Sequence, residues 1–152
     1  MVNYYLDTSA MFKRYMDEYG SDWLRAQMDQ ASMLLVSQML VVEIISALNR
    51  RVREKTLSWG NYQRVRDIIF DDCHTTYQVV APTKPVLDLA CELLERRSLR
   101  GYDAVHLATA LIGHNSLRAR NLPGLVFLCA DDQLVAAAAA EGLAVDNPND
   151  HP

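Results

Sequence analysis

Residues 2–9 read Val-Asn-Tyr-Tyr-Leu-Asp-Thr-Ser, a short apolar run followed at once by a carboxylate and two hydroxyls. An apolar run of this length, bounded by polar residues, predicts a buried β-strand. Helical periodicity begins at Thr8 and continues to about Glu18, so Asp7 falls between a strand and a helix. In sheets covered by helices, the turn that follows a strand lies at the edge where ligands bind.

The same alternation of strand and helix continues along the chain. Strands are expected at 2–6, 33–36, 77–80, 125–128 and 143–145, and helices at 8–18, 21–31, 37–55, 58–70, 83–95, 103–113 and from 131 or 132 to 141. This order favours parallel pairing with right-handed crossovers. We therefore expect an α/β fold of three α/β/α layers around a central, mostly parallel five-stranded sheet. One domain should span residues 1–148, with a polar tail at 149–152 and one long loop at 115–124.

Composition narrows the functional classes. The 152 residues are 50% hydrophobic and 22% charged, with a net charge of −4, which is typical of a globular enzyme or binding domain. A disordered tail, a collagen-like repeat and a strongly basic arm are excluded. The acidic balance also argues against binding nucleic acid by bulk charge alone.

Cellular context is predicted from absent signals. No uncharged stretch approaches the roughly 18–20 apolar residues of a membrane span, and no secretory signal is visible, so we expect a soluble, cytoplasmic protein. Cys73, Cys91 and Cys129 have no Cys-x-x-Cys spacing, which argues against a disulfide framework or a zinc knuckle and favours buried thiols.

Four carboxylates stand out by position: Asp7, Glu43, Asp103 and Asp131. Asp7 follows the first strand and Asp131 follows the fourth, so the two lie side by side if these strands are neighbours at the switch point of the sheet. Glu43 and Asp103 lie beside the apolar faces of their helices and can reach inward. Carboxylates gathered in this way repel one another unless a cation is bound, and oxygen ligands favour Mg²⁺ or Mn²⁺.

Each acid also has an ordinary structural interpretation. Asp is a preferred residue at a helix N-terminus, so Asp7, Asp103 and Asp131 taken singly can be N-caps. Glu43 alone can be a glutamate at the edge of a helix. Capping satisfies backbone N–H groups, but it does not require four acids to converge on one end of the sheet.

These residues carry a resemblance to a known family. Asp7-Thr8-Ser9, Val42-Glu43-Ile44, the segment Gly-Tyr-Asp-Ala-Val-His-Leu-Ala-Thr-Ala at 101–110 and Ala-Asp-Asp-Gln-Leu at 130–134 resemble the PIN-domain family. Within that family the likeness is to the VapC-type toxins of toxin–antitoxin pairs, and it covers nearly the whole chain.

The resemblance implies a metal-dependent endoribonuclease with one or two Mg²⁺ or Mn²⁺ ions. It implies that Asp7, Glu43, Asp103 and Asp131 are catalytic metal ligands, with Asp132 as the alternative to Asp131, and that Thr8 or Ser9 supports them. A metal-bound water would attack the phosphodiester. The resemblance further implies an RNA substrate, a small antitoxin protein as partner, and a homodimer.

Several residues outside the four acids are candidates for contact with RNA or with a partner protein. Arg50, Arg51, Arg97 and Arg100 flank the acids and could bind an RNA backbone, although such clusters can also be solvated helix faces. Arg97 and Arg100 are the first choices for substrate contact. A surface around Met11 and Met16 could face a partner. His106 is expected to be a packed or hydrogen-bonded histidine.

Other functional classes fit the sequence less well. A dehalogenase-like phosphatase needs a second Asp two residues after the first, where Ser9 stands. A receiver-type signalling module needs a second acid beside Asp7, an acceptor Asp after the third strand and a Lys after the last strand. This sequence has none of these residues at those positions. A housekeeping nuclease acting on RNA or DNA, and a non-catalytic Mg²⁺-binding signalling or interaction module, remain as alternatives.

Overall fold

A computed structural model describes residues 1–152 and contains one parallel sheet of five strands. The strands are β1 (Asn3–Leu6), β2 (Met33–Ser37), β3 (Gln78–Val80), β4 (Leu125–Leu128) and β5 (Ala144–Asp146). Their order across the sheet is β3-β2-β1-β4-β5, and every adjacent pair is parallel. β1 pairs with β2 on one side and with β4 on the other, which confirms the predicted neighbourhood of the first and fourth strands.

Seven α-helices connect the strands. They are α1 (Thr8–Tyr15), α2 (Ser21–Asp29), α3 (Met39–Arg53), α4 (Trp59–Thr75), α5 (Lys84–Arg96), α6 (Gly101–Ala119) and α7 (Asp132–Ala140). The helices pack into two separate apolar cores, one on each face of the sheet. The three-layer α/β/α fold predicted from the sequence is therefore confirmed.

The two cores are built from alternate residues of the central strand. Tyr5 belongs to one core and Leu6 to the other, and both side chains are fully buried. The Tyr5 ring stacks on Phe127 of β4, its partner in the strand register, with the ring planes 3° from parallel and the centroids 5.3 Å apart. This pair fixes the centre of the sheet directly beneath the ends of β1 and β4.

The predicted loop at 115–124 is wrong over its first half, because α6 continues to Ala119. Gly113, where the helix was expected to stop, instead lets α6 approach the sheet closely. A Cβ atom at this position would lie 2.6 Å from a methyl group of Leu35 on β2. The glycine therefore serves packing, and only 120–124 connects α6 to β4.

The C-terminal residues pack against the rest of the domain. A single 3₁₀ turn runs over Pro148–Asp150. The ring of His151 stacks on Trp23 of α2 at 3.8 Å between centroids, and its Nε2 lies 2.8 Å from Asp146. Gly20, the residue before α2, has a φ of +81° and lies against this turn. A Cβ atom on Gly20 would be 2.1 Å from the carbonyl oxygen of Pro148.

None of the helices is long and apolar enough to cross a membrane. The three cysteines are free thiols, and only Cys129 is buried as expected, since Cys91 is exposed and Cys73 is half-buried.

Met11 is fully buried in the core, so it cannot belong to the partner-facing surface that was expected around Met11 and Met16.

Candidate active site

A polar cleft of about 640 Å³ opens where β1 and β4 end. Six acids line it, namely Asp7, Glu18, Glu43, Glu54, Asp103 and Asp131. Four bases also line it, namely Lys13, Arg50, Arg51 and Arg100. All four carboxylates singled out in the sequence thus reach the same cleft from four separate segments.

Asp7 is the most deeply placed of these acids, with only 4% of its surface exposed. Its Oδ1 accepts from the backbone N–H of Ala10 as the N-cap of α1, and both oxygens accept from the Ser9 hydroxyl at 2.8 and 2.9 Å. Burial raises the pKa of this carboxyl, while the nearby His106 and the Ala10 hydrogen bond oppose the shift. A buried anion with a raised pKa is stabilised by any cation that enters the cleft.

Ser9 connects the ends of two strands. Its hydroxyl donates to Asp7 after β1 and accepts from the backbone N–H of Ala130 after β4, at 2.9 Å. Ser9 is thus the hydroxyl that holds this carboxylate, whereas the Thr8 hydroxyl lies 3.1 Å from Nε2 of His106.

Two adjacent aspartates at the start of α7 face different ways. Asp131 caps the helix, with Oδ1 accepting from the N–H groups of Gln133 and Leu134, and its side chain lines the cleft. Asp132 accepts a 2.8 Å hydrogen bond from the Asn147 amide and does not line the cleft. Asp131 is therefore an N-cap and also lines the cleft, while its role as a metal ligand stays a prediction.

Glu43 reaches the cleft from the first half of α3 and meets His106 of α6. Its Oε1 lies 2.6 Å from Nε2 of His106, and Nδ1 of the same ring lies 2.7 Å from the Tyr5 hydroxyl. Burial, followed by the charges of Asp7 and Glu43, raises the pKa of Tyr5 well above its usual value, so the phenol keeps its proton. His106 is a buried, hydrogen-bonded histidine as expected, but its link to Glu43 was not predicted.

Arg100 bridges the remaining two acids. As the N-cap residue of α6 it places Nε 3.2 Å from Asp103 and a terminal guanidinium nitrogen 3.7 Å from Asp131. The hydrogen bond to Asp103 raises the pKa of this guanidinium further above its normal value. The Arg100 side chain is 81% exposed, so it is available to a ligand in the cleft.

The other predicted RNA-binding arginines divide into two groups. Arg50 and Arg51 line the cleft, and Arg51 also pairs with Glu18 at 3.1 Å while its guanidinium lies over the Phe12 ring. Arg97 does not line the cleft, because it forms an ion pair with Glu141 at 2.6 Å. The pairing with Glu141 does not favour the predicted substrate contact of Arg97, which stays a prediction.

Two features in or beside the cleft were missed in the sequence. Lys13 is only 6% exposed and is held by Glu18 and the carbonyl of Tyr19. The buried Cys129 thiol donates to Asp7 at 3.1 Å, and burial raises its pKa, so it stays protonated. Sequence spacing gives no signal for the contact of Cys129 with Asp7, because the two residues follow different strands.

No group of three or more His, Cys, Asp or Glu side chains is already arranged as a metal-binding set. Each acid instead has a protein partner: Ser9 for Asp7, His106 for Glu43, and Arg100 for Asp103 and Asp131. The donor chemistry nevertheless suits a hard divalent cation, since carboxylate and hydroxyl oxygens predominate. A cation bound here would compete with Arg100 for the carboxylates of Asp103 and Asp131.

A sequence profile of the PIN domain matches residues 4–138, which include all four of these acids. The chain belongs to the PIN domain family. Within the family, Ribonuclease VapC45 of Mycobacterium tuberculosis is 33% identical over 142 residues, which are 93% of this chain and 92% of that relative. This chain is therefore a PIN domain of the VapC type.

Solved PIN domain structures share the fold. The crystal structure of VapC20 from Mycobacterium tuberculosis has a TM-score of 0.64 at 17% identity, covering 93% of this chain and 97% of that one. The DNA-bound VapBC structure from Salmonella typhimurium has a TM-score of 0.63 at 13% identity, covering 97% and 99%. At these identities the likeness concerns the fold of the PIN domain alone.

Proposed function

We propose that this chain is a divalent-metal-dependent endoribonuclease and the toxin of a toxin–antitoxin pair. The observation that carries the proposal is the convergence of Asp7, Glu43, Asp103 and Asp131 on one cleft that also contains three arginines. Its relative VapC45 is named a ribonuclease, and VapC20 is described as a toxin that cleaves the sarcin-ricin loop.

The four carboxylates would hold one or two Mg²⁺ or Mn²⁺ ions. When bound, such an ion lowers the pKa of a coordinated water and neutralises charge on the phosphodiester. Asp7 and Asp103 are assigned the central ligand role, and Glu43 and Asp131 complete the set. Ser9 keeps Asp7 oriented through its hydrogen bonds to both carboxylate oxygens.

The arginines of the cleft would bind the RNA backbone. Arg50 makes no ion pair in the structure, and the Arg100 guanidinium is largely exposed, so both can donate to phosphate oxygens. Arg51 would bind phosphate while also forming its ion pair with Glu18. No side-chain nucleophile is assigned, because Ser9 is engaged with Asp7 and Cys129 is a buried, protonated thiol.

The antitoxin partner is proposed from the solved VapBC complexes of related fold. Homodimer formation and a cytoplasmic location remain predictions from the sequence, and light scattering of the purified chain measures the first of these. A housekeeping nuclease with an RNA or DNA substrate is the alternative to a toxin.

The nuclease is tested with purified protein, Mn²⁺ and a panel of structured RNAs and single-stranded DNAs. We expect RNA cleavage that EDTA abolishes and that Asp7→Asn, Asp103→Asn and Asp131→Asn abolish or strongly reduce. Asp132→Asn is the matched control, since this neighbouring carboxylate contacts Asn147 instead of the cleft. An intact RNA panel with the parent protein would reject the endoribonuclease, and cleavage of DNA alone would support the alternative nuclease.

The toxin role is tested separately by expressing the chain with and without the small open reading frame beside its gene. We expect growth arrest by the parent chain alone, relief on co-expression, and no arrest by Asp103→Asn. Normal growth at confirmed expression of an active nuclease would instead support the housekeeping alternative.

A further inference from the structure

A buried hydrogen-bonded chain runs from the centre of the sheet to the cleft. The Tyr5 hydroxyl lies 2.7 Å from Nδ1 of His106, and Nε2 of His106 lies 2.6 Å from Oε1 of Glu43. Tyr5 is fully buried and His106 is 1% exposed, whereas 21% of the Glu43 side chain is exposed. One end of the chain therefore lies in the core and the other in the cleft.

The partners at the two ends determine which ring nitrogen carries hydrogen. An ionised Glu43 carboxylate can only accept, so the short contact requires Nε2 of His106 to donate. In the neutral imidazole Nδ1 then bears a lone pair and accepts from the Tyr5 hydroxyl. The opposite tautomer would point the Nε2 lone pair at a carboxylate oxygen, which is repulsive.

The core end of the chain is rigid. Tyr5 lies on β1, which pairs with a strand on each side, and its ring is stacked on Phe127. The His106 ring meets Tyr5 edge-on at 6.0 Å between centroids. Because the phenol cannot swing away, it fixes the orientation of the imidazole, and the imidazole fixes that of Glu43.

We propose that Tyr5 and His106 are positioning residues for Glu43: the Tyr5 hydroxyl fixes the imidazole through Nδ1, and Nε2–H of the imidazole binds Oε1, so that Glu43 presents only Oε2 to a cation. The cation in this statement rests on the proposed function, whereas the tautomer is a property of the metal-free protein. Glu43 would thus act as a one-oxygen ligand in a fixed orientation. A carboxylate without this restraint could rotate or bind through both oxygens.

The tautomer is tested on metal-free protein labelled with ¹⁵N in its four histidines. Long-range ¹H–¹⁵N spectra distinguish protonated from unprotonated ring nitrogens, and His106→Gln identifies the signals of His106. We expect a single Nε2–H tautomer in the parent. Tyr5→Phe loses only the hydroxyl and should keep this tautomer, since Glu43 still requires the donor, but with a shifted Nδ1 signal. Tyr77→Phe is the matched control, because it removes another buried phenol that bonds to Tyr15 instead.

The positioning of Glu43 is tested by calorimetric titration with Mn²⁺ alone. Removing an outer partner of a metal ligand typically weakens metal binding by about ten- to a hundredfold, and we expect this for His106→Leu. His106→Gln retains an N–H donor near the position of Nε2 and should recover most of the affinity. Tyr5→Phe should weaken binding by a smaller factor, while Tyr77→Phe should bind as the parent does.

Three results would overturn the proposal: an Nδ1–H tautomer in the parent, a Tyr5→Phe protein with unchanged Nδ1 signal and unchanged Mn²⁺ affinity, or His106→Gln binding as weakly as His106→Leu. Urea unfolding of every variant separates lost positioning from lost folding. If the parent bound no Mn²⁺, the proposed metal dependence and the one-oxygen role would both fail. The spectra would still decide whether the buried chain sets the tautomer.

Discussion

The Nε atom of Arg100 lies 3.2 Å from Oδ2 of Asp103, three residues further along the chain. The same guanidinium approaches Asp131, which belongs to a different helix N-terminus. A protein cation therefore stands between two carboxylates that the proposed function assigns to a metal ion. Arg100 neutralises these acids when no other cation does so.

Replacing Arg100 should separate two of its effects. Without the guanidinium, Arg100→Gln should bind Mn²⁺ more tightly, by about fivefold if roughly 1 kcal/mol of like-charge repulsion is removed. It should bind RNA more weakly in EDTA because a phosphate contact is lost. Calorimetry and filter binding measure the two quantities. Arg97→Gln is the control and should alter neither, since Arg97 pairs with Glu141. Parallel losses of metal and RNA affinity in Arg100→Gln would contradict this role.

Asp7→Asn should stabilise the metal-free protein. The ionised carboxyl is buried and its pKa is raised by that burial, so a neutral amide of the same shape removes an unfavourable charge. We expect the free energy of unfolding in EDTA to rise by about 1 kcal/mol at neutral pH. Millimolar Mn²⁺ should stabilise the parent and not the variant, because ligand binding favours the folded state. Urea unfolding with and without Mn²⁺ checks both statements, and a variant less stable than the parent in EDTA would refute the first.

The cluster of Glu141, Arg96 and Arg97 should make stability depend on pH. The hydrogen bond from Arg96, together with that from Arg97, lowers the pKa of Glu141 in the folded state. A lowered carboxyl pKa contributes stability above the unfolded-state value, and this stability is lost as pH falls through the folded-state value. Glu141→Gln should cost about 0.5–1 kcal/mol at pH 7 and progressively less in acid below about pH 4. Chemical denaturation from pH 7 to pH 3 measures the difference, and a constant gap between the two proteins would exclude this cause.

The two glycines with positive φ should differ in their tolerance of alanine. Gly142→Ala meets only the penalty of a left-handed conformation, about 1 kcal/mol, because its surroundings are open. Gly20→Ala adds a steric clash with the carbonyl of Pro148 and should cost roughly 3 kcal/mol or more. Thermal unfolding ranks the stabilities of the two variants. Equal losses of stability would mean that the turn at Pro148–Asp150 moves away from residue 20 at little cost in free energy.

The sequence predicted the part of the cleft that depends on strand ends. Asp7 and Asp131 follow β1 and β4, and parallel neighbours place their carboxyl ends together, so the order of elements sufficed. The role of Gly113 could not be predicted, because a glycine that ends a helix and one that allows close packing have the same local sequence signal. Arg97 and Arg100 are likewise indistinguishable until Glu141 is placed beside one of them. The roles of these residues depend on contacts between elements, which the periodicity of the sequence does not reveal.

The strand order also governs when the cleft can form during synthesis. Its four proposed ligands come from residues as far apart as 7 and 131, and β1 must pair with β4, which begins only at Leu125. A chain still emerging from the ribosome holds Asp7, Glu43 and Asp103 but not the strand that closes the sheet beside them. The nascent protein therefore has no complete cleft until β4 has been synthesised.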